Sequence, residues 1–255
     1  MKRCKYCDKE YIENKPEVIE MLPPNLRDRI KFIPSCNCLE ERQKEEYKRL
    51  IEAQDKERKI NRIKKYKDIS IIDSKFNKSK FDRADLTANH MKFSKRYSER
   101  FIELGTAPAG ILFTGAVGTG KTYASGCIAN YLMDNNKTVL VMQLGLYINK
   151  LKSEWEEAEK DVLKHVETCD LLVIDDFGTE KITEFVLEKT FNLIDKRYRA
   201  EKPLIITTNL TSSQLRAKFG DRIADRIEEM TLERIVEGQS WRKGAKLKEL
   251  AAFMA

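Results

Sequence analysis

The eight residues GAVGTGKT, Gly115 to Thr122, meet the spacing G-x-x-x-x-G-K-[ST] in full. Glycines here let successive backbone N–H groups turn inward around phosphate oxygens, and a helix starting directly behind them adds a dipole that favours anions. The contacts expected are those of Gly115, Ala116, Val117, Gly118, Thr119, Gly120, Lys121, Thr122 and the next residue, Tyr123. Lys121 would neutralise the β- and γ-phosphate oxygens, and the Thr122 hydroxyl would hold Mg²⁺. ATP or ADP with Mg²⁺ is therefore the expected ligand. A glycine-rich turn that binds nothing is the plain alternative, and the flanking residues argue against it.

A second stretch, CDLLVIDDFGTE, runs apolar from Leu171 to Ile174 and ends on two carboxylates, Asp175 and Asp176. Such a run fits a strand covered on both faces. Catalytic groups in an open α/β sheet lie at the carboxyl ends of strands, where both acids fall. Asp175 would hold Mg²⁺ as a Walker B residue, and Asp176 would orient or deprotonate the attacking water. A third stretch, KPLIITTNL, is another apolar strand ending on Thr207, Thr208 and Asn209. Thr-Thr-Asn reads equally as a helix-capping turn. Its place after the other two stretches favours a sensor, with Asn209 reaching between the Walker B carboxylate and the γ-phosphate.

These residues need strands to carry them. Five strands are predicted, GILFTG, TVLVMQL, LLVIDD, LIITTN and ERIVEG, separated by helical segments in the α/β manner. The segment KTYASGCIANYLM reads as a helix with Ile128, Ala129 and Leu132 inward.

With FGDRIADRIEEM added, the three stretches resemble the AAA+ ATPases of the DnaC/DnaI/IstB type, above all the bacterial and phage helicase loaders. The likeness covers Phe81 to Arg242. It implies a P-loop AAA+ (ASCE) fold, a five-stranded parallel sheet flanked by helices with the P-loop strand central. It also implies that an arginine from one subunit reaches the ATP of its neighbour. Arg222 and Arg226 match that pair, standing four apart on one helix face. An ordinary exposed helix, with Asp221, Asp225 and Glu229 as their ion-pair partners, is the alternative. GQSWR matches the family's terminal Ser-aromatic-Arg and makes Arg242 a candidate second sensor in the nucleotide site. Asp-Asp stands where many AAA+ proteins have Asp-Glu, which implies slow hydrolysis, and Glu180 is an alternative base. In similar proteins the lead-in FDRADLTANHMKFSKRYSERF packs over the adenine.

The chain of 255 residues suits one such domain with an attached module. Residues 1–100 carry 27 Lys/Arg against 18 Asp/Glu, so the whole-chain charge of +7 leaves the remainder slightly acidic. The basic part opens with CKYC and returns with SCNC, and the thiolates of Cys4, Cys7, Cys36 and Cys38 suit a closed structural zinc. No signal-like or membrane-spanning run is evident, so a reducing cytoplasm is expected and disulfides are not. Cys127 and Cys169 read as small core residues, and His90 and His165 as surface or packing residues. Leu39 to Asp68 lacks Gly and Pro and reads as a charged helix with a thin apolar stripe, either a solvated connector or a partner-binding arm. Between Lys56 and Lys80 ten Lys/Arg face three acids, a balance suited to phosphate contacts. Lys150, Lys152, Lys160 and Lys164 could track a single strand, although their acidic neighbours fit a solvated helix pair equally.

The expected organisation is a four-cysteine module at 1–40, a basic helical linker at 41–80, the AAA+ domain at 81–242 and a tail at 243–255. The expected function is an ATP-dependent helicase loader, its slow hydrolysis stimulated by partner or DNA. Its partners would be a hexameric replicative helicase and single-stranded DNA, with ATP-dependent self-assembly and no membrane. A transposase-helper ATPase of the IstB kind keeps the fold and changes the partner. A P-loop small-molecule kinase and a zinc adaptor with a vestigial ATP site are the readings from other classes. A kinase lid is not visible, and intact Lys121, Thr122 and Asp175 oppose the adaptor.

Overall fold

In the computed structural model, residues 2–70, 74–241 and 253–254 are described. The chain divides into two compact units, Met1–Lys59 and Ile60–Ala255.

The first unit opens on a cysteine knuckle in which Asp8 N donates to Cys4 O and Cys4 N to Lys9 O. Strand β1 (Ile12–Glu13) pairs antiparallel with β2 (Phe32–Ile33), and the short helices α1 (Pro16–Glu20) and α2 (Pro24–Ile30) lie between them in the chain. Both helices place proline in the first turn, where its missing N–H costs nothing. Helix α3 (Cys38–Ile69) begins in this unit, as the uninterrupted run of helix formers predicts. Its stripe residues Tyr47, Leu50, Ile51 and Ile60 stay exposed. Among the described residues up to Lys59, Cys4 is the one buried side chain. A module without an apolar core needs another staple.

The second unit is built on five strands, β3 (Gly110–Thr114), β4 (Val139–Gln143), β5 (Leu171–Phe177), β6 (Leu204–Thr208) and β7 (Thr231–Ile235). All pair in parallel, in the order β4-β5-β6-β3-β7. Every strand the sequence predicts is present. The P-loop strand β3 is internal but not central, because β7 returns to pair on its outer side and leaves β6 in the middle.

The period of two sorts the strand residues onto two faces. Ile111, Phe113, Val139, Val141, Leu171, Val173 and Ile205 pack with α5 (Asn89–Leu104) and α6 (Lys121–Asp134), through residues such as Phe101, Ile128 and Leu132. Leu112, Leu140, Met142, Leu172, Ile174, Leu204 and Ile206 pack on the opposite face. There they meet Tyr147 of α7 (Leu144–Thr168), Leu193 of α8 (Glu184–Arg199), Leu215 of α9 (Ser212–Phe219) and Ile227 of α10 (Asp221–Met230). The short helix α4 (Ser74–Asn77) leads to α5 through a 3-10 turn. Cys127 and Cys169 are fully buried, and His165 meets the Tyr66 ring edge-on. Among the described residues no helix is long and apolar enough to cross a membrane.

Among the described residues Arg197 is the largest fully buried side chain. Its guanidinium donates to the carbonyls of Val166, Cys169, Asp170 and Pro203, which pins the starts of β5 and β6 side by side. The carboxyl ends of those two strands carry the candidate chemistry.

Candidate nucleotide-binding site

The loop between β3 and α6 folds as its glycines demand, with Gly115, Gly118 and Gly120 all at positive φ. A cavity of about 290 Å³ opens above it, lined by Gly118, Gly120, Lys121, Thr122, Asp176 and Asn209 among others. The Lys121 ammonium donates to the carbonyls of Gly115 and Ala116, each at 2.7 Å, and to Asn209 Oδ1 at 2.8 Å. Thr119 donates its hydroxyl to Ala116 O. Val117 and Tyr123 also line the cavity wall, whereas Gly115, Ala116 and Thr119 of the predicted set do not.

Asp175 is buried, and burial pushes its carboxyl above the ordinary range, opposed by hydrogen bonds from Thr207, Thr122 and Gln143. Thr207 Oγ1 stands 2.6 Å from Asp175 Oδ1. Asp176 is exposed toward the cavity and holds φ at 54°, a left-handed conformation unusual outside glycine. The two neighbouring acids thus occupy opposite environments, one dry and one wet.

Asn209 lines the cavity and its amide oxygen accepts from Lys121, while the β6 residue that touches the Asp175 carboxylate is Thr207. Glu180 does not line the cavity; Gly178 N donates to its carboxylate at 3.1 Å, and burial raises its pKa. His90, read from sequence as a surface or packing residue, lies beside the loop, its Nε2 3.3 Å from where a Cβ on Gly120 would stand. Burial lowers its pKa. The lead-in reaches the site upstream of the predicted stretch, at Phe76 and Ser79. Asn130 donates to both of their carbonyls.

Arg222 and Arg226 line no part of this cavity. The acids expected to neutralise them go elsewhere: Arg216 pairs with Asp221, Asp225 and Glu228, and Glu229 accepts from Tyr198. Arg226 pairs with Asp195 at 2.8 Å and lies over the rings of Phe191 and Tyr198. Arg222 is exposed and makes no ion pair among the described residues. Arg226 sits on the turn of α10 that meets Phe191, Asp195 and Tyr198 of α8, and Arg222 stands one turn earlier. Arg242 lies outside the described residues. The two residues before it form a strap over the loop: Trp241 N donates to Gly118 O at 3.0 Å, and Ser240 seats its side chain against Gly118.

In the first unit the Sγ atoms of Cys4, Cys7, Cys36 and Cys38 lie within 4.8 Å of one another. A zinc bound at about 2.3 Å by four thiolates would hold them about 3.8 Å apart, so a small contraction fits the ion. Backbone N–H groups of Tyr6 and Cys7 bring the Cys4 thiol down to about 7. Hydrogen bonding with the Cys7 and Cys36 side chains pushes Cys38 up to about 12. Four sulfurs this close together suit a divalent cation, which binds cysteines as thiolates.

Sheet order, the phosphate loop and paired acids at the carboxyl end of β5 define a P-loop nucleotide-binding protein of the AAA+ class. The chain belongs to the family of IstB-like ATP-binding proteins, whose model matches residues 37–249. It is 29% identical over 143 residues to the replicative helicase loader DnaC of Buchnera aphidicola subsp. Acyrthosiphon pisum, covering 54% of this chain and 56% of that protein. It therefore spans about half the length of the curated relatives it matches. In fold it is similar to the crystal structure of DnaI, at TM-score 0.57 and 21% identity over 67% of this chain and 94% of that one. The crystal structure of the DnaC helicase loader gives TM-score 0.57 and 22% identity, over 65% and 100%.

Proposed function

We propose that the protein is an ATP-driven loader of a replicative helicase, acting in the cytoplasm. The observation that carries this is the convergence of Lys121, Thr122, Asp176, Thr207 and Asn209 on one cavity, in an ATP-binding family with relatives named as helicase loaders. When ATP enters, Lys121 would exchange the loop carbonyls for phosphate oxygens. Thr122 and Asp175 would hold Mg²⁺, which supplies positive charge at the β- and γ-phosphates. Asp176 would take the proton of the attacking water, with Asn209 aligning it. Arg222 and Arg226 would serve the site of a neighbouring subunit, making hydrolysis depend on assembly, and Arg242 would act as a second sensor.

The rest of the chain follows the same reading. Zinc on the four cysteines would staple a partner-docking module at 1–40, followed by the basic linker at 41–80, the ATPase domain at 81–242 and the tail at 243–255. Single-stranded DNA would run along Lys150, Lys152, Lys160 and Lys164. The match to an IstB family model keeps one second reading, a transposase-helper ATPase.

Affinity capture from source cells with ATP present, run beside Cys4→Ser, tests both. Recovery of the replicative helicase, lost in the variant, is the expected result. Recovery of a transposase transfers the protein to the second reading. Neither partner, together with phosphorylation of a small molecule, overturns both.

A further inference from the structure

Strand β5 carries a bulge where the two acids sit. Ile174 faces Ile206 and Phe177 faces Thr208, so Asp175 and Asp176 together oppose the single residue Thr207. Bulges beside active sites re-aim side chains, and this one separates two sequence neighbours. Asp175 turns inward to 5% exposure while Asp176 turns out to the cavity at φ 54°. That φ is uncommon for a non-glycine residue inside a strand, and local hydrogen bonds are what let an aspartate adopt it.

Thr179 Oγ1 donates to Asp176 O at 3.1 Å, and the support for the Asp176 N–H comes from one hydroxyl across the sheet. Thr207 Oγ1 donates to Asp175 Oδ1 at 2.6 Å and accepts from Asp176 N at 2.9 Å. It uses its proton on one acid and a lone pair on the backbone of the other, and it is itself only 1% exposed. Thr208 closes the far side by donating to Phe177 O. We infer that Thr207 is a positioning residue for hydrolysis: its hydroxyl fixes the bulge that points Asp175 at the metal position and Asp176 at the water. The inference rests on the ATPase reading above. It sets apart two threonines that look alike in sequence, since Thr208 touches neither carboxylate through any bond among the described residues.

The test uses the full chain with Mg·ATP and three measurements: single-turnover hydrolysis, equilibrium affinity for a fluorescent ATP analogue, and amide hydrogen exchange at Asp176. Thr207→Val removes the hydroxyl at nearly constant volume, and Thr207→Ser keeps it. Thr207→Val is expected to slow hydrolysis about 10- to 100-fold, the size of a lost hydrogen bond to a charged group. Affinity should stay within about threefold of the parent, because Lys121 and the loop amides supply it. The Asp176 amide, deprived of its acceptor, should exchange at least about tenfold faster. Thr207→Ser should restore all three.

A rate for Thr207→Val equal to the parent's, or a Thr207→Ser variant as slow as Thr207→Val, overturns the assignment. If the parent binds ATP without hydrolysing it, the hydrolytic reading falls on that result alone. Asp176 exchange then decides the Thr207 role: acceleration in Val reversed in Ser supports it, and no acceleration overturns it. Thr207→Ala takes the place of Thr207→Val if the latter does not fold.

Discussion

Gly118→Ala joins the phosphate loop to the strap that follows β7. Gly118 sits at φ 84°, where a side chain costs roughly 1–2 kcal/mol. A Cβ there would also overlap Ser240 Oγ and come within 2.9 Å of Ser240 Cβ and 3.4 Å of its Cα. Rotating the serine clears the first contact and not the second, so the strap itself must shift, at about 1–3 kcal/mol for an overpacked contact. The expected loss is therefore roughly 2–5 kcal/mol in all. Ser240→Gly should return the packing part and leave the backbone part. Urea denaturation of the parent, both single variants and the double variant yields the coupling, expected at about 1–3 kcal/mol. Trp241, whose N–H rests on Gly118 O, gives a second reading through its fluorescence. A Gly118→Ala protein as stable as the parent, or a double variant whose losses simply add, refutes the reasoning.

Lys121→Ala should abolish Mg·ATP binding in calorimetry while leaving the sheet intact, since it removes a phosphate-facing charge and hydrogen bonds to Gly115, Ala116 and Asn209 but no apolar packing. Arg226→Ala should lose roughly 1–3 kcal/mol of stability through its Asp195 pair and two aromatic faces, whereas Arg222→Ala should stay within about 0.5 kcal/mol of the parent; thermal melts separate them. Arg222→Ala should nonetheless slow hydrolysis by itself, and mixing it with Lys121→Ala subunits should restore part of the rate, since each would then supply what the other lacks. A strong chelator should raise proteolysis within Met1–Lys59 and leave nucleotide affinity unchanged, because the cysteine cluster and the phosphate loop belong to separate compact units.

Much of this molecule is legible in the chain because the relevant chemistry is local. Gly115, Gly120, Lys121 and Thr122 form their cradle within eight residues, and the spacing alone requires the backbone turn. The five strands announce themselves through apolar runs bounded by polar ends, and Cys4 and Cys7 declare their common knuckle. Other residues leave no such trace. His90 reads as a packing residue until the fold brings it beside Gly120. The acids around Arg222 and Arg226 look like their partners by helical spacing, yet Arg216, on the preceding helix, takes three acidic partners from α10.

The order of motifs along the chain was enough to determine an α/β sheet with a phosphate loop and apolar strands ending on Asp175-Asp176 and on Thr207-Thr208-Asn209, since each is written in contiguous residues. Which side chain serves which partner was decided only in three dimensions. Thr207 and the two acids are more than thirty residues apart in the chain, and only the pairing of β5 with β6, bulged by one residue, puts a single hydroxyl between them. Asn209 and Lys121 meet across 88 residues. Hydrogen bonds of that kind depend on register and bulge, and register is a property of paired strands, not of either strand alone.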